Sequence, residues 1–147
     1  MREVGKMDRY MVKVRKNNDC VGVYNYATGD KYDGDWVANE KNGEGTFYFY
    51  DTGNKYTGHW VANVMNGKGT LYFKNGDRYE GNWKNGKMEG KGIYGCANKE
   101  RYEGDFKNDN KNGDGTAIDN TIGILYYPNG DRHDGKWKDG KRNGKGK

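Results

Sequence analysis

GDRYEGNWKNGKMEGKG, the stretch from Gly76 to Gly92, contains a Tyr-x-Gly-x-Trp phrase, a short polar turn and a Gly-x-Gly pair. Tyr79, Gly81 and Trp83 stand two residues apart, so in an extended strand they share one face while Glu80 and Asn82 share the other. The stretch predicts a strand that is apolar on one side only, a turn, and a second strand opened by glycines.

The phrase recurs five times. Its Tyr position is filled by Tyr32, Tyr56, Tyr79, Tyr102 and, altered, His133; its Trp position by Trp36, Trp60, Trp83, Phe106 and Trp137. The glycine between them is Gly34, Gly58, Gly81, Gly104 and Gly135, and the closing pairs begin at Gly43, Gly67, Gly90, Gly113 and Gly144. Successive copies start 24, 23, 23 and 31 residues apart. A fixed period in this range marks a repeat array, in which each unit buries its face against its neighbours.

With these positions in register, the stretch from Gly29 to Lys147 resembles the MORN (membrane occupation and recognition nexus) repeat family. The resemblance implies an all-β, elongated, single-layer antiparallel sheet of stacked β-hairpins, twisted and curved. It also implies binding and scaffolding rather than a reaction, with links to partner helices, dimers, cortical assemblies and regulatory appendages of larger enzymes.

The composition sets bounds on this reading. Leu, Ile, Val and Phe are too few to fill a globular interior and alone would suggest disorder. The 13 Tyr and 4 Trp supply large apolar area at low side-chain entropy cost, and among the 25 Gly those sharing a face with the rings let them lie over bare backbone. A thin aromatic ladder is therefore expected as the core. No apolar run is long enough to span a membrane, and the N-terminus shows neither a signal core nor a glycine at position 2, which points to a cytoplasmic chain, peripheral to membrane or cytoskeleton. Cys20 and Cys96 lie three repeats apart, roughly 29 Å at about 4.8 Å per strand, too far for a disulfide. The net charge of +5 gathers at the ends: residues 1–19 sum to +3, residues 132–147 to +5, and the intervening segment to −3.

In chain order, residues 1–28 read as a degenerate N-terminal repeat or cap. Tyr10, Val12 and Val14 alternate, and Gly22 stands in the place of Gly69; a separate binding arm is the alternative. Residues 29–147 form the array, with repeats starting near 29, 53, 76, 99 and 130. Asn39, Asn63, Gly86, Asp109 and Gly140 share one turn position and a tolerance of left-handed backbone, so a tight turn is expected there. In the second strands, Gly43, Gly45, Phe47 and Phe49 fall on one face, as do Gly67, Gly69, Leu71 and Phe73; Cys96 continues that face as a small buried hydrophobe. Asn75-Gly76-Asp77 and Asn129-Gly130-Asp131 signal hairpin turns between repeats. In repeat four, Ala117 to Ile124 interrupt the run from Thr116 to Leu125. This insertion, 117–124, reads as a surface loop or as a partner-binding protrusion carrying Ile118, Ile122 and Ile124. The last repeat is incomplete, ending on a lysine-rich edge that either guards against aggregation or joins a homodimer through the sheet edge.

Chemistry is sparse. His59 and His133 belong to distant repeats, and Asp33, Glu80, Glu103 and Asp134 are expected to form cross-strand ion pairs with lysines rather than acid–base pairs. The Gly-x-Gly pairs lack a following helix and are not phosphate loops. The expectation is no enzyme, no cofactor and no metal. Nucleic acid is also not expected, for want of a continuous basic track.

Two functions follow from different classes. The first is a scaffold or adaptor that binds a protein partner in an aromatic groove lined by Tyr32, Trp36, Tyr56, Trp60, Tyr79, Trp83, Tyr102, Phe106 and Trp137. The second is a peripheral membrane module that meets acidic phospholipids through Lys136, Lys138, Lys141, Arg142, Lys145 and Lys147.

Overall fold

The computed structural model describes residues 10–14 by their backbone and residues 20–112 and 123–143 in full. Among the described residues there is no helix. The strands are β1 (Tyr10–Val14), β2 (Cys20–Asn25), β3 (Lys31–Val37), β4 (Glu40–Tyr48), β5 (Lys55–Val61), β6 (Val64–Tyr72), β7 (Arg78–Lys84), β8 (Lys87–Gly95), β9 (Arg101–Lys107), β10 (Asn110–Lys111), β11 (Gly123–Tyr126), β12 (Arg132–Lys138) and β13 (Lys141–Asn143). They form one antiparallel sheet in sequence order, except that β10 and β11 both pair with β9. The fold is the single-layer array of sequential hairpins that the resemblance to the MORN repeat family implies, and β1 and β2 extend it as a further hairpin paired with β3.

Two turn types alternate along it. Within a repeat the loop has two residues, both left-handed: Ala38 and Asn39 at φ 48° and 64°, Ala62 and Asn63 at 46° and 70°. That is the primed turn whose twist matches the flanking strands. Between repeats, Gly76 takes φ 95° while Phe73 N–H donates to Asp77 O at 2.9 Å and Gly76 N–H to Phe73 O at 3.0 Å. Three of these turns are also tied to the next repeat. The backbone N–H groups of Tyr50, Lys74 and Ala97 donate to the side-chain oxygens of Asp30, Asn54 and Asp77, at 2.8, 3.0 and 2.9 Å.

The core lies on one side of the sheet. Tyr32, Tyr56, Tyr79 and Tyr102 are wholly buried, and Trp36, Trp60, Trp83, Phe106 and Trp137 are 3–6 % exposed. Their rings form an edge-to-face chain from Tyr24 to Trp137, with neighbouring centroids 4.8–5.9 Å apart and planes at 66–89°. Contacts between repeats match those within one, so each hairpin is bound to its neighbour as firmly as its own rings are bound to each other. Each Tyr hydroxyl crosses the glycine pair and donates to the carbonyl three residues on, as Tyr79 does to Asn82 O at 2.9 Å. The indole N–H groups of Trp36, Trp60, Trp83 and Trp137 donate to Gly22, Gly45, Gly69 and Gly123 carbonyls at 3.1–3.2 Å.

That last bond relocates the insertion in repeat four. Gly123 takes the ladder position of Gly69 and Gly92: Ile124 pairs with Glu103, Leu125 with Tyr102, and Tyr102 rests over Gly123. Gly123 and Ile124 are thus strand residues and not part of an insertion over Ala117–Ile124. The Tyr102 hydroxyl needs a glycine beneath it, and Gly123 is the one that stands next to the Leu125 register. Ile118 and Ile122 lie outside the described residues.

Candidate functional site

Because successive residues of a strand point to opposite faces, the buried rings leave a second, polar face. The register sets Thr57 beside Thr70, then Glu80, Ile93 and Glu103 on consecutive strands. Next to this row run Glu44, Lys68, Asn82 and Lys91, and together with the backbone of Gly58, Gly69, Gly81, Gly92 and Gly104 they line a trough of about 670 Å³. It crosses β4 to β9 along the line of glycine pairs.

A physical cause lies in the bulges. The ladder slips between Gly34 and Trp36, Gly58 and Trp60, and Gly81 and Trp83, where extra residues on the second strand bend it. The residue before each aromatic takes up the unpaired backbone: Asp35 Oδ2 accepts Glu44 N–H at 2.9 Å, and His59 Nδ1 donates to Asn66 O at 2.9 Å. His59 thus serves the bulge, with no link to His133.

The nine rings expected to line an open groove are instead the core, and no partner can reach a side chain that is 0–6 % exposed. The trough opens on the opposite face and is lined by carboxylates, lysines and threonines. The reason is that rings crossing glycine pairs fill their own side of the sheet, whereas the short Thr side chains leave theirs hollow.

The ion pairs also differ from expectation. Glu80, Glu103 and Asp134 pair along their own strands with Arg78, Arg101 and Arg132; the Arg101–Glu103 and Arg132–Asp134 distances are 2.8 Å. Among the described residues one cross-strand pair is present, Lys91–Asp105 at 3.2 Å. These pairs are exposed and contribute about 0–1 kcal/mol each. Further out on the polar face Lys31, Lys55 and Arg101 stand over the rings of Tyr48, Tyr72 and Tyr126, at 5.3, 4.6 and 4.6 Å. The sequence spacing of these pairs, one residue before the Tyr position and one after Phe47, Leu71 or Leu125, carries the signal, but only the register shows that they meet.

Lys136, Lys138 and Lys141 are exposed and share the polar face at the β12–β13 end, whereas Arg142 pairs with Trp137 on the aromatic side and lies over the Tyr127 ring at 5.7 Å. Lys145 and Lys147 lie outside the described residues. Cys20 and Cys96 are thiols, and burial pushes the Cys96 thiol up, away from the reactive thiolate. Among the described residues no group of three or more His, Cys, Asp or Glu is placed to hold a metal ion, and no helix is long and apolar enough to cross a membrane.

A single sheet of stacked hairpins with one sealed aromatic face and one open polar face defines a β-hairpin repeat array. The MORN repeat family model matches residues 32–53, 56–78, 79–101, 102–118 and 133–147. The chain belongs to the MORN repeat family, whose arrays act as repeat scaffolds or membrane-association modules. The fourth match ends at residue 118, before Gly123 of the ladder. No curated protein matches the chain.

Proposed function

We propose that this protein is a non-catalytic scaffold that holds an extended segment of a partner protein along its polar face. The observation that carries this reading is the trough of about 670 Å³ over β4 to β9. Its lining mixes acids, bases, hydroxyls and the apolar Ile93, which suits a polypeptide with side chains of both signs and disfavours a uniformly anionic surface. The Lys–Tyr and Arg–Tyr pairs beside it supply the aromatic and cationic groups that favour interfaces. A photo-crosslinking residue at Thr70 should capture one defined partner, and the same residue at the exposed Asn98 turn should not. With the crosslinker kept at Thr70, filling the trough on either side of it with Thr57→Arg and Ile93→Arg should abolish capture while leaving the melting curve in place. Equal capture from both positions would count against the trough.

A second reading rests on Lys136, Lys138 and Lys141, which stand exposed on one face at the end of the array. Basic residues at an anionic membrane contribute about 1 kcal/mol each. Pelleting with acidic-phospholipid vesicles that is lost at high salt and in a triple Lys→Gln variant supports a membrane role; absence of pelleting at low salt rules it out.

A further inference from the structure

On each second strand the position opposite the Trp position holds, in turn, Lys41, Met65, Met88, Lys111 and Arg142. It belongs to the aromatic face, where a long flexible side chain covers the rings, and a thioether does this at no electrostatic cost. Lys41 does it with a charge. Its ammonium lies 5.1–5.7 Å from the ring centroids of Tyr26, Tyr32, Phe47 and Trp60, and donates to the Tyr26 hydroxyl at 3.2 Å. Among the described residues no carboxylate lies within ion-pair distance of it. Burial pulls its pKa down, and the attraction of the more distant Asp30 carboxylate offsets this only in part, so its lost hydration is incompletely replaced by ring faces, one hydroxyl and that charge.

Beside Lys41 is a hollow of about 260 Å³, whose apolar walls are Phe47, Phe49, Trp60, Val64 and Met65. Its rim is built firmly. Lys41 N–H donates to Asn63 Oδ1 at 2.9 Å, and Asn63 N–H to Lys41 O at 3.0 Å, which fixes the Asn63 turn against β4. At Gly86, on the next turn, a Cβ would approach only Val64, at 3.8 Å, so the mouth is open there. Val64 is 40 % exposed at its edge. An apolar cavity with a half-buried cation on its wall is complementary to a group that is apolar at one end and anionic at the other.

We propose that this hollow binds an apolar side chain of a partner polypeptide, aromatic or leucine, while a carboxylate on the same or the adjoining residue pairs with Lys41. The site lies outside the trough and does not depend on it. A carboxylate arriving at Lys41 replaces the water the ammonium lost, in surroundings of lower dielectric than the surface, so the charge is worth more there than at an exposed lysine.

The test uses the whole chain and two blocked dipeptides, acetyl-Phe-Glu-amide and acetyl-Phe-Gln-amide, differing only in the charge. Binding is read by NMR at the Met65 methyl and the Gly86 amide. The Glu peptide should give saturable shifts at both signals, and the Gln peptide should bind about tenfold more weakly. Lys41→Met installs the residue that Met65 and Met88 already place in this position and so keeps the fold; it should bind both peptides equally and weakly. Absence of shifts with the Glu peptide would overturn the proposal. So would equal affinity of the wild type for both peptides, or a Lys41→Met variant that still prefers the charged one.

Discussion

At Gly81 a Cβ would stand 2.4 Å from the Tyr79 hydroxyl and 2.6 Å from the Gly92 Cα, so any side chain must push the ring or the neighbouring strand aside. Gly81→Val should therefore cost about 3 kcal/mol or more in urea unfolding. Glu80→Ala, which removes half of an exposed ion pair, should cost under about 1 kcal/mol; equal midpoints for the two variants would contradict the ring-over-glycine packing. The sequence carried this in full, because a side chain's face follows from the period of two. The same tyrosines set a pH limit. Burial first, with nearby carboxylates adding to it at each ring, raises the pKa of Tyr32, Tyr56, Tyr79 and Tyr102 well above the usual tyrosine value. Below about pH 10 both folded and unfolded chains hold these protons and the stability is complete. Above it the unfolded chain releases protons that the folded chain keeps, so stability falls as pH rises. The urea midpoint should drop steadily as the pH rises above about 10, and a flat profile would mean that the rings are not sealed.

The hairpin is legible in the sequence at its turn residues, though only in part. Asn39 and Asn63 announce left-handed backbone, but the residues before them, Ala38 and Ala62, are left-handed too, at φ 48° and 46°. Alanine gives no sign of this, since it has no side-chain oxygen to compensate for the strain; the signal lay in Asn85 and Asn108, which fill the same place in later repeats. Ala62→Asn should raise stability by about 0.5 kcal/mol, measured as an upward shift of the urea midpoint at unchanged slope. The ties from Asp30, Asn54 and Asp77 to the next repeat were not foreseeable from turn composition. Each of these side chains bonds a backbone group 20 residues away, which only the stacking brings near.

The whole molecule behaves as a line of neighbours. Excising residues 79–101 joins Arg78 to Tyr102 and leaves Tyr102 to stack where Tyr79 did. The shortened chain should fold with the same circular dichroism per residue and unfold with a smaller urea slope, because less surface is exposed. A soluble but unfolded product would mean that the hairpins depend on more than their neighbours. At this scale the sequence by itself determined the all-β class, the repeat count, the turn positions and the face to which each ring belongs. These depend on period, spacing and local backbone preference, which the chain carries at every point. Only the tertiary structure decided that the nine rings are sealed rather than exposed, that the open trough lies on the polar face, that Gly123 completes repeat four, and that Lys41 sits among four rings beside a hollow. Each of these depends on which residues of adjacent strands stand opposite one another and on how the bulges bend them, and that is set by register between repeats, not by any single stretch of chain.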